Sequence, residues 1–296
     1  MNRRTFLASA TAAAAPAAAP ARFRKGICEG IFPAGMPIEE RFRRTRDAGF
    51  EGIELRSGND IKLSTPPDEV KRIADQARRA GVEIVSLWSS EPLGEGPLNS
   101  PDPEKRARGV AGVRKIIEYA RYLNCGASLL VPGRLGSGPR FEIGYQDSWD
   151  RITAEMRKLL PDAAKYKVCL TPENVWSKFL VSPRDARDFV DQFKSPWVGF
   201  HFDVGNVMQF GYPEDWILTL GQRIKAIHVK DYKLSSRAEQ GRFVDLMEGD
   251  VNWKGVMAAL VKTGYRGFLS PEIGRNDDPD QLKKLSATLD RILALA

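Results

Sequence analysis

Four short apolar runs, KVCLTPE (167–173), WVGFHFD (197–203), IKAIHV (224–229) and GFLSPE (267–272), each carry one polar side chain at or near their end. Those side chains are Glu173, Asp203, His228 and Glu272. Short runs rich in Val, Ile and Phe read as strands, the third extending to Asp231. Between them lie stretches with helical spacing: SPRDARDFVDQF (182–193), PEDWILTLGQ (213–222) and NWKGVMAALVKTGY (252–265). Strands alternating with helices make parallel βαβ units, so all the strand ends point one way.

The alternation extends outward in both directions. Towards the N-terminus, strands are predicted at GICEGIF (26–32), GIEL (52–55), VEIVSLWS (82–89) and SLLVPG (128–133). Helices are predicted after Ile38, over 67–81, over 104–126 and as one element over 147–166, with a Gly/Pro/Ser-rich loop at 90–103. The last strand, 267–273, is followed by a closing helix after Asp278. The count of strand–helix units predicts one α/β domain, a single (β/α)8 TIM barrel with eight parallel strands. An open doubly wound sheet is the competing architecture, but its G-x-G-x-x-G turn after the first strand is absent.

In such a barrel the C-terminal strand ends form the active-site face. Glu173, Asp203, His228 and Glu272 are therefore predicted to meet there and to ligate one divalent metal ion. Three carboxylates and an imidazole are a hard, oxygen-rich set, suited to Mn2+, Mg2+ or Co2+. His201 lies two residues before Asp203 and Lys230 two after His228, so each shares the face of its partner. His201, Asn206, Lys230 and Trp176 are the candidate substrate-binding residues, with Trp88 a further aromatic near a strand end. Glu54 closes the second strand and is a candidate to orient another group; Glu248 and Asp250 fall in a loop that can cover the site.

Bulk properties narrow the class. Of 296 residues, 42% are hydrophobic and 28% charged, ordinary for a globular protein. The net charge of +7 and pI near 9.3 come from Lys and Arg spread along helical stretches, without the basic stripe and interleaved aromatics of a nucleic-acid binder. Cys28, Cys125 and Cys169 form no C-x-x-C pair and sit in apolar contexts, so buried free thiols are expected. Residues 1–21, MNRRTFLASATAAAAPAAAPA, combine Arg3–Arg4 with a weakly apolar Ala-rich run and A-x-A sites. That is the pattern of a twin-arginine export signal, with the catalytic domain over 22–296 and a periplasmic or otherwise exported location. The run is too short and weakly apolar for stable membrane insertion.

PENVWSKF (172–179), HFDVGNV (201–207), IHVKD (227–231), EGDVNW (248–253) and SPEI (270–273) resemble the corresponding segments of the xylose-isomerase-like TIM barrels, a superfamily of sugar isomerases, epimerases and dehydratases. The resemblance spans essentially the whole chain after residue 21. It is to the ketose 3-epimerases in particular, in which one divalent metal is held by Glu, Asp, His and Glu from the ends of strands five to eight. The resemblance implies those roles for Glu173, Asp203, His228 and Glu272, with Glu173 and Glu272 as the catalytic acid–base pair. It also implies a small sugar substrate, and a homodimer is compatible with it. The chain departs from the pattern where those enzymes carry a further glutamate and an arginine: here stand NVWSKF, with Lys178, and VKDYKL. The departure bears on ketose specificity, not on the metal set. With only two histidines, both late in the chain, the three-zinc endonuclease and two-metal aldose isomerase mechanisms are not expected.

The expected activity is metal-dependent isomerisation or epimerisation of a ketose or keto-sugar by proton abstraction and an enediolate. The alternatives are a dehydratase or lyase acting on a keto-inositol or 3-keto-glycoside, and a non-catalytic periplasmic sugar-binding protein.

Overall fold

The computed structural model describes residues 23–136, 140–235, 241–276 and 278–296. The leader expected over 1–21 lies outside the described residues. Eight parallel strands form the centre: β1 (Arg24–Lys25), β2 (Gly52–Arg56), β3 (Glu83–Trp88), β4 (Ala127–Leu130), β5 (Cys169–Pro172), β6 (Phe200–Asp203), β7 (Ile224–Val229) and, after a hairpin of β8 (Asp231–Lys233) and β9 (Arg242–Val244), β10 (Phe268–Pro271). They pair in two four-stranded sheets, β2-β3-β4-β5 and β1-β10-β7-β6. Isolated parallel bridges join the sheets at both seams: Cys28 to Glu54 at one, Leu170 to Val198 and Glu173 to His201 at the other. The strands thus follow one another around a (β/α)8 barrel, as the alternation predicts.

Helices α1 (Ile38–Asp47), α2 (Pro67–Ala80), α3 (Ser90–Glu95), α4 (Pro103–Tyr122), α5 (Tyr145–Arg157), α6 (Leu160–Tyr166), α7 (Pro183–Asp191), α8 (Pro213–Leu220), α9 (Trp253–Thr263) and α10 (Gln281–Leu293) cover the outside. Their starts are written locally. Asp102 accepts from the Glu104 and Lys105 amides, Ser182 from that of Asp185 and Asn252 from that of Gly255. The helices turn apolar stripes inward, such as Ala186, Phe189 and Val190 on α7, with most charges outward, as Asp191 pairs with Arg223. Cys28, Cys125 and Cys169 are buried free thiols, as their contexts suggest.

Several boundaries differ from those expected from the sequence. The first strand was expected over 26–32, but its ladder runs from Arg24 to Cys28, where the Cys28 amide donates to the Pro271 carbonyl at 3.2 Å. The chain then turns through Glu29–Ile31, because the Glu29 carboxylate takes donors from Arg41, Asn59 and the Arg56 amide. The fourth strand stops at Leu130, not 133, since Pro132 has no amide to pair. The seventh strand, expected over 224–231, stops at Val229, and Asp231 opens a separate antiparallel hairpin. The single helix expected over 147–166 is two, α5 and α6, because Pro161 cannot continue a helix interior. The loop at 90–103 also contains the short α3.

Candidate metal centre

Four neighbouring strands deliver the predicted quartet to one point. Glu173 follows β5, Asp203 ends β6, His228 lies near the end of β7 and Glu272 follows β10. One donor atom from each falls within 4.8 Å of all the others. His228 Nδ1 is 2.9 Å from Glu173 Oε1, 3.2 Å from Glu272 Oε2 and 3.8 Å from Asp203 Oδ2. Glu173, Asp203 and His228 are buried, while Glu272 is half-buried at the rim.

The local sequence explains why these side chains stay put. The Asn174 side chain clamps the Asp203 backbone in both directions, donating to its carbonyl at 2.8 Å and accepting from its amide at 2.9 Å. Asp203 Oδ1 accepts from the Asn206 amide at 2.8 Å, and the Asn206 side chain donates to the Asn174 carbonyl at 2.9 Å. The PEN and DVGN segments thus lock each other. Gly205 is required in this turn: a Cβ there would stand 2.6 Å from the Lys230 Cβ. Asp203 Oδ2 is left buried and without a hydrogen bond, although the Lys230 ammonium lies 3.0 Å away. Lys230 also reaches Glu272 Oε2, at 2.6 Å.

The crowding of like charges shows in the proton affinities. Burial, helped by Glu272 and Asp203 and opposed by His228, pushes the Glu173 carboxyl up to about 7. Burial likewise raises Asp203, against the pull of Lys230. Partial burial raises Glu272 too, but its contacts with His228 and Lys230 prevail and hold it down at about 2. Burial opposes a charge on His228, yet the Glu173 and Glu54 carboxylates hold its proton affinity well above the ordinary histidine range. Without a metal, the carboxylates gathered here are balanced by Lys230 and by a proton held on the His228 ring. A divalent cation fits this set, both in donor type and in the charge it would neutralise.

The other candidates separate. Lys230 and Glu272 line a cavity of about 630 Å3 at the barrel mouth, together with Phe243, Asp245, Glu248 and Ile273. Trp176 is 41% exposed on the rim, stacked on Phe243 with centroids 5.0 Å apart, its indole N–H donating to the Asn206 carbonyl. Asn206 itself is buried, with its amide turned into the Asn174 lock. His201 is fully buried beneath the His228 ring, with centroids 4.0 Å apart and neither ring nitrogen hydrogen-bonded. Burial and the neighbouring His228 push it down to about 3, so it is neutral. Glu54 lies on the far side of His228, inside the barrel, with Trp88 donating to it. Asp250 pairs with Lys233 on the hairpin.

Two residues without an assigned role in the sequence reading matter here. One is Asn174; the other is Asp231, fully buried just beyond β7. Its carboxylate accepts from the Tyr232, Met247 and Val251 amides and from the Trp253 indole, and so ties the 245–253 loop to the site. The available signal was an aspartate placed two residues after an apolar strand and ahead of a glycine-containing loop.

The family model of the xylose isomerase-like TIM barrel matches residues 42–292, and the chain belongs to that family. Among curated proteins it is similar to the L-ribulose-5-phosphate 3-epimerase UlaE of Salmonella paratyphi C (strain RKS4594), 26% identical over 253 residues, covering 82% of this chain and 84% of the relative. Among solved structures it is similar to an L-ribulose 3-epimerase, with a TM-score of 0.74 and 22% identity over 92% of this chain and 95% of the other. It is also similar to the IOLI protein with a bound zinc atom, with a TM-score of 0.70 and 14% identity over 91% and 96% of the two chains.

Proposed function

We propose that this protein is a divalent-metal-dependent epimerase or isomerase of a ketose or related keto-sugar. The observation that carries the reading is the convergence of Glu173, Asp203, His228 and Glu272 within 4.8 Å at one barrel face. The similarity to a sugar-phosphate 3-epimerase and to a ketose 3-epimerase supports the substrate class, and the zinc-bound IOLI structure supports a metal.

Glu173, Asp203, His228 and Glu272 would hold the cation, which supplies Lewis acidity to the carbonyl and adjacent hydroxyl of the sugar. Glu173 and Glu272 enter from strands separated by β6 and β7, so they approach a substrate from different sides of the mouth. One takes the proton from the carbon next to the carbonyl, and the other returns a proton to the opposite face of the enediolate. Lys230 stands at the cavity wall to hold a substrate oxygen. Among the described residues it is the one cation lining that cavity, beside the acids Asp245 and Glu248. That lining disfavours a phosphate and suits a neutral sugar, as would the export expected from the Arg3–Arg4 pattern.

The test is hydrogen exchange. Purified protein with Mn2+ in D2O is incubated with a panel of ketoses and keto-glycosides, and proton NMR follows the hydrogen beside the carbonyl. Exchange with appearance of an epimer or isomer is the expected result. Loss of a hydroxyl or aglycone would assign a lyase instead. Metal-bound protein that exchanges nothing on the whole panel would overturn the reading.

A further inference from the structure

We infer that Glu54 is the positioning carboxylate of the metal centre: it holds the single proton of the His228 ring on Nε2 and so leaves Nδ1 bare toward Glu173, Asp203 and Glu272. The inference rests on the metal-dependent reading above.

Once a cation replaces the proton on Nδ1, the imidazole keeps one N–H, and the partner of one nitrogen decides the role of the other. His228 Nδ1 faces the three carboxylates of the quartet, whereas Nε2 faces the opposite way, 3.4 Å from Glu54 Oε2. Glu54 comes from the other sheet of the barrel, 174 residues away in the chain. The residue is 1% exposed, and among the described residues its ion-pair partners are His228 and His201. His201 stands farther off, with Nε2 at 3.8 Å and no hydrogen bond. A buried carboxylate without lysine or arginine is costly unless donors surround it.

The surroundings are built to aim Glu54 at His228. The β2–β3 register shifts between Ile53 and Glu54, which sets Glu54 opposite Ser86. Irregularities of this kind re-aim a side chain. Ser86 and Trp88, two apart and on one face of β3, both donate to Glu54 Oε2: the Ser86 hydroxyl closely, the Trp88 indole N–H at 3.2 Å. The Trp88 ring also packs on the His228 ring, with centroids 5.1 Å apart, and fixes its plane. Cys28, Glu54 and the far side of His228 also lie close enough together to suggest a second cation. One ring cannot give both nitrogens to metals without losing its last proton, and Glu54 as acceptor keeps that proton in place. Buried Cys28 therefore packs as a neutral thiol.

The experiment titrates metal-free full-length protein with Mn2+, measuring Kd by calorimetry, for the wild type, Glu54→Gln and Trp88→Phe. A second readout is the His228 Nε2–H signal in 15N-histidine-labelled protein loaded with Zn2+. Wild type is expected to show a slowly exchanging, downfield Nε2–H. Glu54→Gln is expected to bind Mn2+ about 10–100-fold more weakly, the usual cost of losing such a partner, and to shift that proton upfield. Trp88→Phe keeps the carboxylate but removes one hydrogen bond that aims it, so a smaller, several-fold loss is expected. It serves as the test if Glu54→Gln does not fold. Unchanged Kd and an unchanged Nε2–H signal in the folded variants would overturn this inference while leaving the metal site standing. Failure of the wild type to bind any Mn2+ would overturn the metal-dependent reading itself.

Discussion

Asp231→Asn is a nearly isosteric change that should cost more than its size suggests. Two donors fall on each carboxylate oxygen: the Tyr232 amide at 2.8 Å and the Val251 amide at 3.3 Å on Oδ1, the Met247 amide at 2.8 Å and the Trp253 indole at 2.9 Å on Oδ2. An asparagine has one acceptor oxygen and one NH2 group in their place. Whichever way the amide turns, two N–H donors face an N–H group and lose their partner. The residue itself is fully buried, so a lost donor costs about 1–3 kcal/mol, and the pair roughly 2–6 kcal/mol. For a domain of this size that lowers the melting temperature by on the order of 10 °C. Chemical denaturation followed by circular dichroism, with and without Mn2+, measures the loss. Asp250→Asn is the control, since Asp250 meets Lys233 and the Leu234 amide at the surface of the same hairpin, and its replacement should barely move the transition. An Asp231→Asn variant within about 1 kcal/mol of the wild type would refute the claim that this carboxylate ties the loop down.

Asn174→Ala should lower stability by about 1–3 kcal/mol and weaken Mn2+ binding, because it breaks the clamp on the Asp203 backbone while touching no metal donor; calorimetric titration that gives a wild-type Kd would contradict the clamp. Burial pushes the Cys28, Cys125 and Cys169 thiols up to about 12. Native protein at pH 8 should therefore leave Ellman's reagent uncoloured until denaturant is added, and rapid labelling of all three in the native state would refute their burial. The sign for stability follows from the same shift: the raised native values favour folding below the unfolded thiol range, near pH 9, and that contribution fades as pH climbs towards 12. A denaturation midpoint that rises over this interval in the wild type relative to a triple Cys→Ala variant would be the wrong sign.

Much of the molecule is legible before folding because it rests on local physics. The alternation of β-type runs with helical spacing follows from side-chain periodicity, and the Ser182–Pro183 pair marks a helix start before any contact is known. Parallel strands all present their C-terminal ends to one face, so Glu173, Asp203, His228 and Glu272 can be brought together from strand order alone. What strand order does not contain is distance across the barrel and the direction a side chain takes there. Glu54 meets His228 only because the two sheets close against each other and a register shift turns it inward. His201 and Asp203 share a strand face, yet one lies under an imidazole ring and the other among carboxylates, because depth in the barrel changes over two residues. Asn206 reads as a substrate contact, but its amide closes a lock with Asn174, a partner 32 residues away. Asp231 likewise draws in donors from Met247, Val251 and Trp253, which lie 16 to 22 residues further along. Periodicity and capping act within a few residues, whereas hydrogen-bond partners and burial are set by packing between distant segments, and those exist only once the chain has closed.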